Sequence, residues 1–354
     1  MSVNKKDRNI LQEILDHLKD NTGELNVEEI KNAIVKAAGD EEKAKSVVQS
    51  LPDTYYSPSN KLANIMPTEG VILSTKEVTE ILDLRVSGRN AKKEVTNACV
   101  IVYEGDERIQ LRSRRPYMEY DREVHDAVVS LFAAGITRFT AATVYRVMTG
   151  SNDGDNISQQ TLDRIEESLY KMRFINVKAD VSSELEQRHI VLEDDSVIKG
   201  GRIDSYLLNL DRTEIEFENA DGKGKVIGYT LNRAPILYAY SQLTKQLLSA
   251  PTKMLNITDG KGKPIRNSEQ RIVIKGYLMR RILIMQGKTA QSNHILLKKI
   301  YDLFPTATDR KQIKRIRDYA IAVLDCWIKD GFIDGYEIVK KSGVDYAFAI
   351  KLKA

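Results

Sequence analysis

Residues 306–352 read TATDRKQIKRIRDYAIAVLDCWIKDGFIDGYEIVKKSGVDYAFAIKL. Thr308 or Asp309 can cap a helix here, because a short side-chain oxygen accepts one of the first free backbone N–H groups. No proline and no glycine interrupts the chain from there to Gly331. At about 100° per residue, Ile313, Ile316, Ala320, Val323, Leu324 and Trp327 share one narrow arc. Arg310, Lys311, Lys314, Arg315 and Arg317 fill the opposite side of the first two turns. Gly331 then ends the helix by taking the left-handed conformation that bulkier residues resist. Two alternating runs follow, GYEIVK and VDYAFAIKL, around Lys341-Ser342-Gly343. In the second, Tyr346, Phe348, Ile350 and Leu352 are expected on one face, with Ala347, Ala349 and Lys351 on the other.

Upstream, RIVIKGYLMRRILIMQ (271–286) sets Ile274, Leu278, Ile282 and Met285 on one helical face. Ser292 or Asn293 is expected to cap a short helix, HILLKKIYDLF, that stops at Pro305. Helix, short helix, basic helix and hairpin, in that order, are the parts of a winged helix. By shape and by charge this is a DNA-binding module.

Composition sets the frame around it. A chain of 354 residues, 42% hydrophobic and 29% charged, has the make-up of an ordinary soluble protein of two or three domains. No apolar run approaches the roughly 20 residues a membrane span needs, and MSVNKKDRN lacks the apolar core of a signal peptide. Cys99 and Cys326 stand far apart in apolar contexts, which suits two buried thiols in a reducing cytoplasm. The net charge of +4 is unevenly spread. It is −3 for residues 1–70, +2 for 71–115 and −6 for 116–260. Residues 261–354 hold 20 Lys and Arg against 9 Asp and Glu, a net +11. Segregation of this kind speaks of partners. The C-terminal part suits a polyanion, and the middle does not.

The expected architecture is α+β and helix-rich, with two winged-helix units in tandem, a strand-rich intervening segment and a small helical N-terminal region. Residues 1–51 form that helical region, with Ile10, Leu11, Ile14, Leu15 and Leu18 at helical spacing. Residues 52–70, rich in Pro, Ser and Asn, read as a linker. Residues 71–115 read as a helix from Ser74-Thr-Lys-Glu77 to Leu82, a basic loop, and strands around Glu104-Gly105-Asp106. The trio Arg112, Arg114 and Arg115 is either a phosphate track or solvated surface.

Residues 116–260 form the first unit. DREVHDAVVSLFAAG is expected as an amphipathic helix with Val124, Val128, Leu131 and Phe132 inward. TAATVYRVMTG makes a short helix closed by Gly150. ISQQTLDRIEESLYKM makes a third with Leu162, Ile165, Leu169 and Met172 on one side. Phe174-Ile175 leads into a strand as Phe332-Ile333 does later, so the two units read as a duplication. The third helix is acidic outside, with Asp163, Glu166 and Glu167 against Arg164 and Lys171. Only Gln159, Gln160 and Arg164, in and just after its first turn, are placed to read base edges. This unit is therefore either a weaker, base-reading DNA contact or a dimerisation surface, and its charge favours the second. Strand-like runs fill 186–231, a helix is expected over 235–248, and DGKGK at 221–225 and 259–263 reads as turns, since the phosphate-loop spacing is missing.

No catalytic constellation emerges, and no cofactor or metal is expected. His17, His125, His189 and His294 are scattered singly. Glu193-Asp194-Asp195 is a solvated run.

From Tyr120 to Leu352 the chain resembles the replication initiator proteins of theta-type plasmids and related mobile elements. YLMRRILIM, DRKQIKRIRDYAIAVLDCW, and F-I followed by a hairpin twice over carry the resemblance. It implies no enzyme activity, a cytoplasmic protein on double-stranded DNA, a homodimer through the first unit, and recruitment of host replication proteins. It also implies DNA contacts at Arg310, Lys311, Lys314, Arg315 and Arg317, with Lys340 and Lys341 on the wing. The acidic first unit, the long intervening segment and about 115 residues before the first unit depart from that pattern. A winged-helix transcriptional regulator shares the same parts, and a protein–protein adaptor is the reading of a different class.

Overall fold

The computed structural model of the chain describes residues 51–66, 71–72, 99–102, 109–113, 117–151, 157–192, 194–219, 222–287, 292–304 and 309–353. Residues 51–213 and 228–354 fall in one compact unit, and 214–227 fall outside it. The expected helices over 1–51 and 74–82, the loop 85–93 and the turn 104–106 lie outside the described residues. The fold is mixed α and β, with small antiparallel sheets.

In chain order the elements begin with β1 (Thr54–Pro58), α1 (Lys61–Ile65), β2 (Val71–Ile72), β3 (Cys99–Val102) and β4 (Ile109–Ser113). Next come α2 (Glu119–Ala133), β5 (Arg138–Phe139), α3 (Ala141–Thr149), α4 (Gln159–Arg173), β6 (Asn176–Asp180), α5 (Ser182–Gln187) and β7 (Arg202–Tyr206). They are followed by β8 (Leu210–Asn219), β9 (Gly222–Leu231), α6 (Ile236–Leu243), β10 (Leu247–Pro251) and a 3-10 turn at Thr252–Leu255. The chain closes with α7 (Glu269–Gln286), β11 (His294–Leu296), α8 (Leu297–Asp302), α9 (Arg310–Lys329), β12 (Ile333–Lys341) and β13 (Val344–Leu352).

Local chemistry accounts for the helix starts. Thr140, Ser158, Ser268 and Asp309 each accept a backbone N–H from three residues on. Gly150 closes α3 in the left-handed conformation, as its position predicted. The apolar faces read from sequence are inside. Ile274, Leu278, Ile282 and Met285 are buried, as are Ile165, Leu169 and Met172, while Leu162 and Phe132 are half-buried.

Pairing between strands departs from the sequence reading in several places. Residues 52–66 are no linker. β1 pairs antiparallel with β10, and Tyr55, Leu62, Ala63 and Met66 are buried beneath the pair. In TYYSP, Tyr55 and Ser57 turn to the buried side while Thr54 and Tyr56 stay half-buried, an alternation that makes a strand once a partner lies alongside. His294–Leu296 forms a strand rather than a helix start, because it pairs with Ala347–Ala349 of β13. Ser292 accepts the His294 N–H, and the helix α8 begins only at Leu297. Gly222–Lys225 lies within β9, whereas 259–263 is a turn, with the Asp259 N–H donating to the Lys263 carbonyl. The strands of 71–115 do not stand apart, since β4 pairs with β6 and completes a sheet ordered β2-β3-β4-β6-β7.

The largest correction concerns α2. It was expected to be amphipathic, yet every residue from Tyr120 to Leu131 is buried. α2 is the axis of the fold, touched by β1, α3, α4 and α7. Residues 116–260 and 261–354, expected as separate domains, therefore share one compact unit apart from 214–227. A side chain at Gly276 of α7 would overlap the Glu123 carboxylate of α2, so the two helices meet where only glycine fits.

The acidic residues of α2 are satisfied by partners from distant segments. The Arg280 guanidinium reaches Glu123 at 2.6 Å, Glu119 at 3.2 Å and Asp126 at 3.6 Å. Ser57 donates to Asp126 at 2.5 Å, and Lys171 reaches Asp121 at 2.6 Å. Burial works against the Arg280 charge, but Glu123, Glu119 and Asp126 together hold it firmly protonated. Burial pushes the Glu123 carboxyl upward, against the pull of Arg280. Lys275, also fully buried, donates to the Leu255 carbonyl at 2.5 Å, and burial brings its amine down to about 7. Such groups are tolerated in low dielectric only when paired.

Candidate nucleic-acid interface

α9 is held to the body by one face. Ile316, Ala320, Val323, Leu324 and Trp327 are fully buried, as predicted, joined at the margin by Tyr319 and Cys326. Ile313 is half-buried. The Trp327 indole N–H donates to the Met254 carbonyl at 2.9 Å, which fixes the helix against the 3-10 turn. Asp309 Oδ1 accepts from the Gln312 N–H at 2.8 Å at the start, and Gly331, at φ +71, ends the helix.

The hairpin that follows is closed by Ser342 and Gly343, both at positive φ, the two-residue turn that matches strand twist. β13 lies between β11 and β12. Phe348 and Ile350 are buried, but so is Ala347, which lies between Leu296 of β11 and Val339 of β12 in the part of the strand that contacts α8. Tyr346, expected inward, is 42% exposed, since it lies beyond the body toward the hairpin tip.

Arg310, Lys311, Lys314 and Arg315 are exposed on α9, and none has a carboxylate partner among the described residues. Arg317 differs from them. Its guanidinium is bound to Asp345 of β13 at 2.7 Å and to Asp318 at 3.5 Å. It ties the helix to the hairpin rather than standing free. Lys340 and Lys341 are exposed on β12, with the Lys341 ammonium 5.5 Å from the Tyr346 ring centroid. Six of the seven basic residues expected on this part are thus available together on one helix and the hairpin after it.

The first half is arranged otherwise. Gln159 donates to Asp163 at 2.8 Å. Arg164 is bound by Glu167 and by Glu269 of α7, each at 3.3 Å, and lies over the Tyr120 ring. Of the three residues placed to read bases there, Gln160 alone is both exposed and without a partner among the described residues.

Sequence reasoning missed the ionic junction beneath this surface. The signal was present: Glu119, Glu123 and Asp126 fall at the first, fifth and eighth positions of one stretch, a single helical stripe. That stripe looked like a solvent face because its partner, Arg280, is more than 150 residues away. Among the described residues, no group of three or more His, Cys, Asp and Glu could hold a metal ion, and no helix is long and apolar enough to cross a membrane. No protein-family model matches the chain, and no curated protein or solved structure matches it.

Proposed function

We propose that this chain is a sequence-specific double-stranded DNA-binding protein built on two winged helices in tandem, an initiator of plasmid or mobile-element replication. The observation that carries the reading is the set of uncommitted cations on α9, beside a hairpin that adds Lys340 and Lys341. In the same unit Arg164, Arg280 and Arg317 are engaged by carboxylates, whereas these four exposed cations share one helical face uncommitted. The order β11-β13-β12 after α7, with α8 and α9 inserted, supports a winged helix in the second half. In that reading the start of α9 enters the major groove, and the hairpin meets the backbone.

The acidic outer face of α4, with Arg164 already engaged by Glu167 and Glu269, supports a pairing role for the first unit in a homodimer, with host replication proteins as further partners. A transcriptional regulator would use the same surface, and direct repeats of the bound site beside the gene favour the initiator. The test is binding of the full chain to duplex DNA across a salt series, with sedimentation run alongside. If five to seven cations neutralise phosphates, log K falls against log salt with a slope of roughly −4 to −6. A slope near zero would remove the DNA reading and leave the adaptor, and a concentration-independent monomer mass, free and on DNA, would remove the pairing role.

A further inference from the structure

We propose that Arg266 and Arg271, on the segment joining the two halves, form a phosphate-binding step that prolongs the α9 face toward the start of α4. The inference rests on the DNA reading above and adds a site outside the basic helix and its hairpin.

The geometry begins on α9. Residues four apart lie above one another on a helix, so Lys311, Arg315 and Tyr319 make one stripe. Arg317 marks the opposite margin of the buried arc, the one tied to the hairpin through Asp345. Tyr319 is buried, and the Arg271 guanidinium lies over its ring, 5.2 Å from the centroid. The stripe therefore runs from Lys311 through Arg315 to Arg271, a rise of about 12 Å over eight residues of helix.

Arg271 also donates through Nη1 to the Arg266 carbonyl at 2.7 Å, which holds the exposed Arg266 beside it. A guanidinium carries five N–H donors, and this bond uses one of the five at Arg271. Neither arginine has a carboxylate partner among the described residues, although Glu269 is only two residues from Arg271. Glu269 is instead engaged by Arg164 of α4 at 3.3 Å, so the acidic residue near Arg271 in sequence is already paired. The same contact sets the beginning of α7 against α4, where Gln160 is exposed. A second polyanion-facing step next to a face with four free cations fits the same duplex, since a duplex presents phosphates continuously and planar guanidinium groups match them. A role for Arg271 in packing alone would account for its stacking on Tyr319, but not for the bare, exposed Arg266 held next to it.

The test uses the full chain and the double variant R266Q/R271Q on a duplex selected by the wild type. The salt slope is expected to become shallower by about 1 to 2, one phosphate contributing about 0.9. Backbone protection should be lost at one flank of the footprint, with base preference unchanged. R266Q changes an exposed side chain, so it reports without disturbing the fold, and R271K restores the charge and should recover the slope. Unchanged slope and protection in both R266Q and the double variant, on DNA the wild type binds with a steep slope, would overturn this site while leaving the function intact. Failure of the wild type to bind duplex DNA would overturn both together.

Discussion

The two long helices α4 and α9 occupy the same place in the same order of elements, and they end with opposite surfaces. Each follows a helix, a short strand and a second helix, and each runs through Phe-Ile into a strand. On α9 the outward residues are exposed cations, whereas on α4 the outward cation Arg164 is bound to carboxylates of Glu167 in the same helix and Glu269 on α7. The short strands diverge as well. β11 pairs with its own hairpin, while β5 pairs with β9, and the β6–β7 hairpin is extended by β4 into a five-stranded sheet. Shared order of elements does not entail shared use. In one half Arg164 and Lys171 of α4 are tied by carboxylates, and the half that closes its own sheet keeps a free basic face on α9.

The first way to break this comparison is to cut the junction between the halves. Arg280→Ala leaves Glu123 and Asp126 buried without their cation, and should lower stability by about 3–5 kcal/mol. Denaturant unfolding should show one cooperative transition shifted as a whole. Two transitions, with only one moved, would mean that the halves are independent.

A smaller effect separates base reading from charge on α9. Arg315→Lys keeps the charge but not the planar fork, so it should lose about 1–3 kcal/mol at one base position of a cognate site and relax the preference there. Equal losses on cognate and scrambled duplexes would make Arg315 a backbone contact. Lys341→Ala, on the hairpin, should instead weaken every sequence alike and reduce the salt slope by about 1.

The smallest effect is a pH dependence from Lys275. Its amine titrates near about 7 in the fold, against 10.5 ordinarily. Between those values the unfolded chain binds more protons, so this group's contribution to stability rises with pH. The gain between about pH 7 and about pH 8.5 is on the order of 1–2 kcal/mol. Lys275→Met should flatten that rise in denaturant midpoints, and a rise of the same size in the variant would assign it to other groups.

The sequence by itself determined the long helices α4, α7 and α9 and the apolar residues they turn inward, because burial of an apolar stripe leaves a periodic mark in the sequence. It also marked the helix start at Thr308 or Asp309, the stop at Gly331 and a turn around Lys341-Ser342-Gly343, where short-range geometry decides the conformation. The concentration of positive charge in residues 261–354 was legible too. What only the tertiary structure decided lies in contacts between residues far apart in the chain. β1 is a strand because β10 lies beside it, nearly 200 residues later, and HIL is a strand because β13 does. Arg317 is a strut and not a free cation because Asp345 reaches it from the hairpin. The charged side of α2 is interior because Arg280 supplies its counter-charge from α7. A charge reads as surface until its partner is known, since the energy of placing it inside depends on what stands within a few ångströms and not on its neighbours in sequence.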